Sequence, residues 1–264
     1  MTDGSSDEPR AAVTERPLRV IREVRVKSVL SPSKVYAYTV NPYVGCAHGC
    51  TYCYARFMRR FSGHGEPWGA FVDVKVNAAD LLEREVRKKS PGTVWVSGVC
   101  DPYQPVEEKY RLTRACASVL VDAGWPLVVQ TRSPLVLRDL DLLTAPWVQV
   151  GLSITTADDA IRQLFEPYAP VIEERVRTLQ RLHEAGVRTF AMIAPLLPGA
   201  ERLPELLAGA VDEVLVDRMN YHYAAWVYRR HGLQAYAEDS YYKDLGRRLA
   251  AAFAARGVPC RLCF

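Results

Sequence analysis

Residues 41–54 read Asn41-Pro42-Tyr43-Val44-Gly45-Cys46-Ala47-His48-Gly49-Cys50-Thr51-Tyr52-Cys53-Tyr54, three thiols spaced C-x3-C-x2-C among glycines. They follow a β-type run at Val35–Val40, so the thiols fall in the loop after a strand. Three cysteines in so short a stretch with polar neighbours do not read as apolar core residues. Gly45 and Gly49 let the backbone wrap closely around a bulky centre. An ordinary cubane iron–sulfur cluster takes four cysteines, so three would leave one iron open to a ligand. The competing reading is a structural zinc site, with His48 or a remote cysteine as fourth ligand. Such sites usually pair two C-x2-C knuckles, and only one half of that pattern is present.

Outward from this loop, β-type runs alternate with helical patterns. The runs are Val35–Val40, Phe71–Val76, Thr93–Val99, Leu127–Thr131, Trp147–Ile154, Thr189–Ala194 and Glu213–Val216. Helical stretches lie at Ala78–Lys89, Thr113–Ala123, Arg138–Thr144, Val171–Ala185, Leu203–Ala210 and Ser240–Arg256. Asn77 is a candidate N-cap, and Gly124 and Gly186 sit where helix C-termini favour a left-handed residue. The strand–helix order predicts an α/β fold, a parallel sheet with outer helices. About six such units make a partial (β/α)6 TIM-like barrel, whose chemistry gathers at the C-terminal strand ends. Residues 1–28 are polar, charged and Pro-containing, and are expected to be a flexible tail ahead of one domain at 29–264.

The 264 residues suit one such domain. Lys and Arg number 34 against 30 acidic residues, a net charge of +4. That balance permits nucleic-acid contact without arguing for it. Neither a signal peptide nor a membrane-spanning run is legible, so the chain is expected to be soluble and cytoplasmic. In a reducing compartment, seven cysteines point to metal binding or reactivity rather than disulfides.

The cysteine loop resembles the defining signature of the radical S-adenosylmethionine superfamily, C-x3-C-x-aromatic-C, read here as Cys46, Cys50, Tyr52 and Cys53. The resemblance implies a [4Fe-4S] cluster on the three cysteines, with S-adenosyl-L-methionine chelated to the open iron and Tyr52 against its adenine. It also implies one-electron cleavage to a 5′-deoxyadenosyl radical that abstracts hydrogen from an organic substrate.

After the second barrel strand, Ser97-Gly98-Val99-Cys100-Asp101-Pro102-Tyr103-Gln104-Pro105-Val106-Glu107 is similar to the DPYQP-x-E string of the spore photoproduct lyase-like group, often called DNA-repair-photolyase-like. That likeness makes Asp101 a cofactor-binding candidate and Cys100 a catalytic one, a hydrogen donor to a product radical. A Pro-fixed loop and a small buried residue are the plainer readings of these two positions. Ser153 and Thr155 end the fourth strand on one face, by period-two spacing, where superfamily hydroxyls approach the ribose or methionyl part of the cofactor. Arg175 is the candidate for the methionyl carboxylate, or else a solvated helix residue. Ala194-Pro195-Leu196-Leu197-Pro198-Gly199 resembles a P-x-x-PG loop that packs Ile193 and Pro195 near adenine, or else is a turn.

Asp217, Arg218, Asn220, Tyr221 and His222 follow the sixth strand at the edge of a substrate pocket, His222 reading best as a packing or surface residue. Lys75 reads equally as a salt-bridge partner, and the C-x2-C pair Cys260 and Cys263 stays unassigned. The leading reading is a radical S-adenosylmethionine enzyme, lyase-like, acting on an unknown organic substrate: a nucleic-acid lesion or a small molecule, nucleoside or peptide. It implies an electron donor such as a flavodoxin or ferredoxin and no membrane; the oligomeric state is not legible. The rival is a non-catalytic zinc or iron–sulfur binding or redox-sensing protein.

Overall fold

The computed structural model describes residues 20–264. Its strands are β1 (Val20–Val24), β2 (Leu30–Pro32), β3 (Tyr38–Val40), β4 (Tyr43–Val44), β5 (Phe71–Lys75), β6 (Val94–Val96), β7 (Leu127–Thr131), β8 (Val148–Ser153), β9 (Arg188–Ile193), β10 (Glu213–Val216) and β11 (Cys260–Leu262). An eight-stranded sheet has the order β11-β10-β9-β8-β7-β6-β3-β2. Every neighbouring pair is parallel except β2 with β3. The sheet ends at β2 and β11 without closing, which makes it the partial barrel that the strand–helix repeat predicts.

Helices Ala78–Val86, Leu112–Asp122, Ile172–Glu184, Leu203–Leu207 and Asp239–Ala254 cover its outer face. Their apolar stripes bury Leu82, Leu120, Leu179, Leu207 and Leu249 against sheet residues such as Val96, Val129, Val150 and Val214. Non-directional burial of this kind holds the layers together, while the strand ends stay free of that demand and carry polar groups. Gly124 and Gly186 end two of the helices at φ 69° and 80°, as expected.

Three details differ from the sequence reading. Phe71–Lys75, a β-type run outside the count of six barrel strands, lies in a small second sheet of order β1-β5-β4, whose existence the sequence did not announce. Of the expected tail, residues 1–19 lie outside the described residues, but Val20–Val24 is a strand paired in parallel with β5. Little of β1 is buried. Main-chain pairing and a bidentate contact of Arg22 with Asp73, at 2.8 and 2.9 Å, replace burial as its anchor. Asn77 makes no side-chain cap; its amide instead brackets Val26, accepting from the N–H and donating to the carbonyl. No helix among the described residues is long and apolar enough to cross a membrane.

Candidate active site

At the C-terminal ends of the barrel strands lies a cavity of about 230 Å³ lined by Cys46, Cys50 and Cys53 on one side and by strand-end residues on the other. The backbone brings the thiols there through two left-handed glycines. At Gly45 (φ 87°) a Cβ would stand 2.3 Å from the Phe71 carbonyl, and at Gly49 (φ 60°) 3.0 Å from the Tyr168 ring. The loop can therefore follow this tight path only with glycine at both positions.

The DPYQP string holds that loop in place. Gln104, fully buried, accepts from the Ala47 N–H at 2.9 Å and donates to the Gly45 carbonyl at 3.1 Å. Asp101 accepts from the Tyr103 N–H at 2.9 Å, the Thr131 hydroxyl at 2.6 Å and the Arg132 N–H at 2.8 Å, and meets His48 Nε2 at 3.4 Å. Burial opposes its charge, but His48, then Thr131 and Arg132, hold its carboxyl down at about 2. Glu107 sits behind: it accepts from the Tyr43 hydroxyl, the Thr113 N–H at the start of a helix and the Arg138 guanidinium. The string thus clamps the cysteine loop to the barrel, and this part of it is a positioning device.

The thiols themselves are buried enough to resist ionisation. Burial pushes Cys50 up to about 12, Cys46 well above the ordinary thiol range and Cys53 upward. Three thiolates at this place need a compensating positive centre, which a metal cluster supplies. Among the described residues no three His, Cys, Asp or Glu side chains form a single-ion site. In a cubane each thiolate takes a different iron.

Cys46, Cys50, Cys53, Tyr52, Cys100, Asp101, Ser153 and Pro195 all line the cavity; Thr155 and Arg175 do not. The Thr155 hydroxyl, beyond the end of β8, donates to Glu166 at 3.1 Å. Ser153 faces inward and accepts from Gln130 at 3.1 Å. The two hydroxyls expected to share a ligand are therefore separated. Arg175, fully buried, is spent on Glu166 at 2.5 Å and on the Pro170 and Ser153 carbonyls, each at 2.9 Å. It is neither a solvated residue nor a cavity residue.

Besides Arg218 at the rim, the cavity is lined by a cationic side chain that sequence reasoning missed, Arg132, just after β7. Its guanidinium donates to the Tyr52 hydroxyl at 3.0 Å and meets Glu166 at 3.5 Å. Burial opposes the charge on Glu166, yet Arg175 and then Arg132 hold its carboxyl at about 2. The Tyr52 hydroxyl donates to the same carboxylate, fixing the ring that was expected against adenine. Cys100 donates its S–H to the Tyr43 carbonyl at 3.5 Å, and burial lifts it to about 12, so it stands at the cavity wall as a neutral thiol. Asp217, Arg218, Asn220 and Tyr221 line the rim, as expected, and His222 does not.

The family profile described as the radical SAM superfamily matches residues 40–202, and the chain belongs to that superfamily: it is a radical S-adenosylmethionine enzyme, with a [4Fe-4S] cluster and S-adenosyl-L-methionine as cofactors. Within it, the fold is like that of spore photoproduct lyase. Spore photoproduct lyase complexed with dinucleoside spore photoproduct superposes with a TM-score of 0.69 at 14% identity, over 92% of this chain and 82% of the other. An uncharacterised protein of Methanocaldococcus jannaschii is 36% identical over 181 residues, 67% of this chain and 68% of the relative. An uncharacterised Mycobacterium tuberculosis protein is 33% identical over 184 residues, 65% of this chain but only 54% of the relative, so the chain spans about half of that protein.

Proposed function

We propose that Cys46, Cys50 and Cys53 hold the cluster, and that S-adenosyl-L-methionine and then the substrate occupy the cavity in front of it. When bound, the reduced cluster cleaves S-adenosyl-L-methionine to a 5′-deoxyadenosyl radical that abstracts hydrogen. The protein's part is to orient and enclose. Arg132, rather than Arg175, offers a guanidinium inside the cavity to the methionyl carboxylate, held there by Tyr52 and Glu166. Ser153 and the Pro195 segment present a hydroxyl and an apolar wall to the rest of the cofactor. Asp101 acts one step back, fixing the Arg132 backbone and His48.

Cys100, kept neutral by burial, is a hydrogen-atom donor to a substrate-derived radical: its S–H breaks homolytically as a bond to hydrogen forms on the substrate, and the thiyl radical left behind returns to the thiol by taking one electron from the external one-electron donor and one proton from solvent. The observation that carries this reading is the convergence of the three cluster thiols, Arg132, Ser153 and Cys100 on one cavity. The substrate is organic; a nucleic-acid lesion is the form favoured by the structural relative complexed with dinucleoside spore photoproduct. An external one-electron donor and a cytoplasmic setting, with all seven cysteines free, complete the proposal. The catalytic unit is residues 29–264, extended back to Val20 by β1.

The test is anaerobic reconstitution, addition of S-adenosyl-L-methionine and dithionite, and mass spectrometry of 5′-deoxyadenosine. Product from the parent protein and none from a Cys50→Ala variant supports the assignment. Product undiminished in that variant removes Cys50 from the ligand set.

A further inference from the structure

Cys53, the least buried of the three proposed cluster thiols, is the residue from which a short surface helix begins. That segment runs through the 3-10 turn Tyr54–Met58 into the helix Arg59–Ser62. It presents Phe57 at 37% and Phe61 at 72% exposure, the latter a very high value for a phenylalanine. The two rings touch edge to face at 6.5 Å. Around them stand Arg56, Arg59 and Arg60. None of these arginines is ion-paired with a carboxylate among the described residues: Arg59 bonds the Gly65 carbonyl, Arg60 lies 5.9 Å over the Phe61 ring, and Arg56 lies 4.8 Å over Tyr223. The segment has no acidic residue of its own before Glu66, which is engaged by His64.

Exposed aromatic rings within unneutralised arginines are the anatomy of a docking surface for a protein of opposite charge. Its position narrows the partner. The segment starts at Cys53, one of the three proposed cluster ligands, and at its other side Arg56 lies over Tyr223, next to the cavity-lining Tyr221.

We infer that the Arg56–Phe61 surface docks a small acidic one-electron carrier protein, bearing a reduced flavin or iron–sulfur centre, that feeds the cluster. One electron leaves the carrier's reduced centre and enters the cluster; the carrier is oxidised by one electron, and no bond forms between the two proteins. This rests on the cluster assignment above, and the experiment separates the two.

The reconstituted protein is mixed anaerobically with an acidic flavodoxin in its reduced form, and bleaching of the cluster absorbance is followed by stopped flow, in parallel with reduction by dithionite. Wild type is compared with Phe61→Ala and with the Arg59→Glu/Arg60→Glu double variant, all at exposed positions. The expected result is a flavodoxin rate that falls steeply with salt, is at least about tenfold lower in the charge-reversed variant at low salt and is reduced in Phe61→Ala. Dithionite rates are expected to be equal for all three proteins. Equal flavodoxin rates for all three proteins overturn the inference while leaving the cluster assignment intact. Failure of dithionite to bleach any of them refutes the cluster assignment instead. A single-stranded oligonucleotide that binds wild type, loses affinity in the double variant and leaves flavodoxin rates equal among the proteins assigns the surface to nucleic acid and also overturns the inference.

Discussion

The side-chain amide of Gln104 donates to the Gly45 carbonyl at 3.1 Å, across 59 residues of sequence, and its oxygen accepts from the next loop N–H but one. A buried primary amide that satisfies one donor and one acceptor of the same loop fixes the path of the chain into Cys46 without touching the thiols. Truncating it removes both bonds from the buried loop and takes from the Gly45 C=O its side-chain donor, at about 1–3 kcal/mol.

Gln104→Ala is therefore expected to keep its far-ultraviolet circular dichroism while its thermal midpoint falls and its iron and sulfide content after reconstitution drops. Iron analysis alongside a melting curve checks this. Full iron occupancy with an unchanged midpoint would show that the amide has no part in shaping the loop.

The two kinds of cavity cysteine should separate cleanly. Cys50→Ala is expected to lose the cluster absorbance and all detectable 5′-deoxyadenosine. Cys100→Ala, whose thiol donates to the Tyr43 carbonyl and is not one of the three proposed cluster ligands, is expected to keep both, because the radical is formed before any hydrogen returns to the product. Once a substrate is in hand, its products should change in Cys100→Ala. Loss of the cluster in that variant would make Cys100 structural.

The barrel was legible because its strands repeat a local pattern: apolar runs, helices and left-handed glycines such as Gly124 and Gly186 each answer to neighbours in sequence. Which partners a run takes is not local, and nothing in Phe71–Lys75 itself announces that it pairs with β1 and β4 in a second sheet. The same limit decides the site. The cysteine spacing is a short-range signal and led directly to the cavity. Arg175 and Arg132 are both arginines near strand ends, and what tells them apart is Glu166, whose carboxylate absorbs one guanidinium completely and only touches the other. The one available clue to Arg132 was its place directly after the apolar run Leu127–Thr131, where barrel chemistry gathers.

Glu166 makes the acid sensitivity of the fold calculable in sign. Its folded carboxyl lies at about 2, against an ordinary 4.5. Stability from this depression is fully present above about pH 4.5 and is lost as the pH falls toward 2. Glu166→Gln removes it, and leaves Arg175 buried without its counter-charge at a cost of roughly 3 kcal/mol. Denaturant unfolding of the cluster-free protein is expected to show a wide gap between wild type and variant at pH 7 that narrows steadily below pH 4.5. A gap independent of pH would mean that Glu166 is already neutral in the native state.

Arg132 and Arg175 share that carboxylate but should fail in different ways. Arg175 has no exposure and three partners, so Arg175→Ala strands a buried Glu166 and is expected to cost several kcal/mol of stability. Arg132 keeps 18% of its side chain exposed and lines the cavity. In Arg132→Ala, Glu166 retains Arg175 and the Tyr52 hydroxyl, so the fold should survive with a smaller loss. What goes is the proposed charge-assisted contact to the methionyl carboxylate, worth about 1.5–3 kcal/mol, or roughly ten- to a hundredfold in S-adenosyl-L-methionine affinity. Calorimetric titration of the reconstituted variants, with melting curves beside it, checks both halves. Unchanged affinity in Arg132→Ala would send the carboxylate elsewhere in the cavity, because Arg175 is walled off behind Glu166 and cannot take its place.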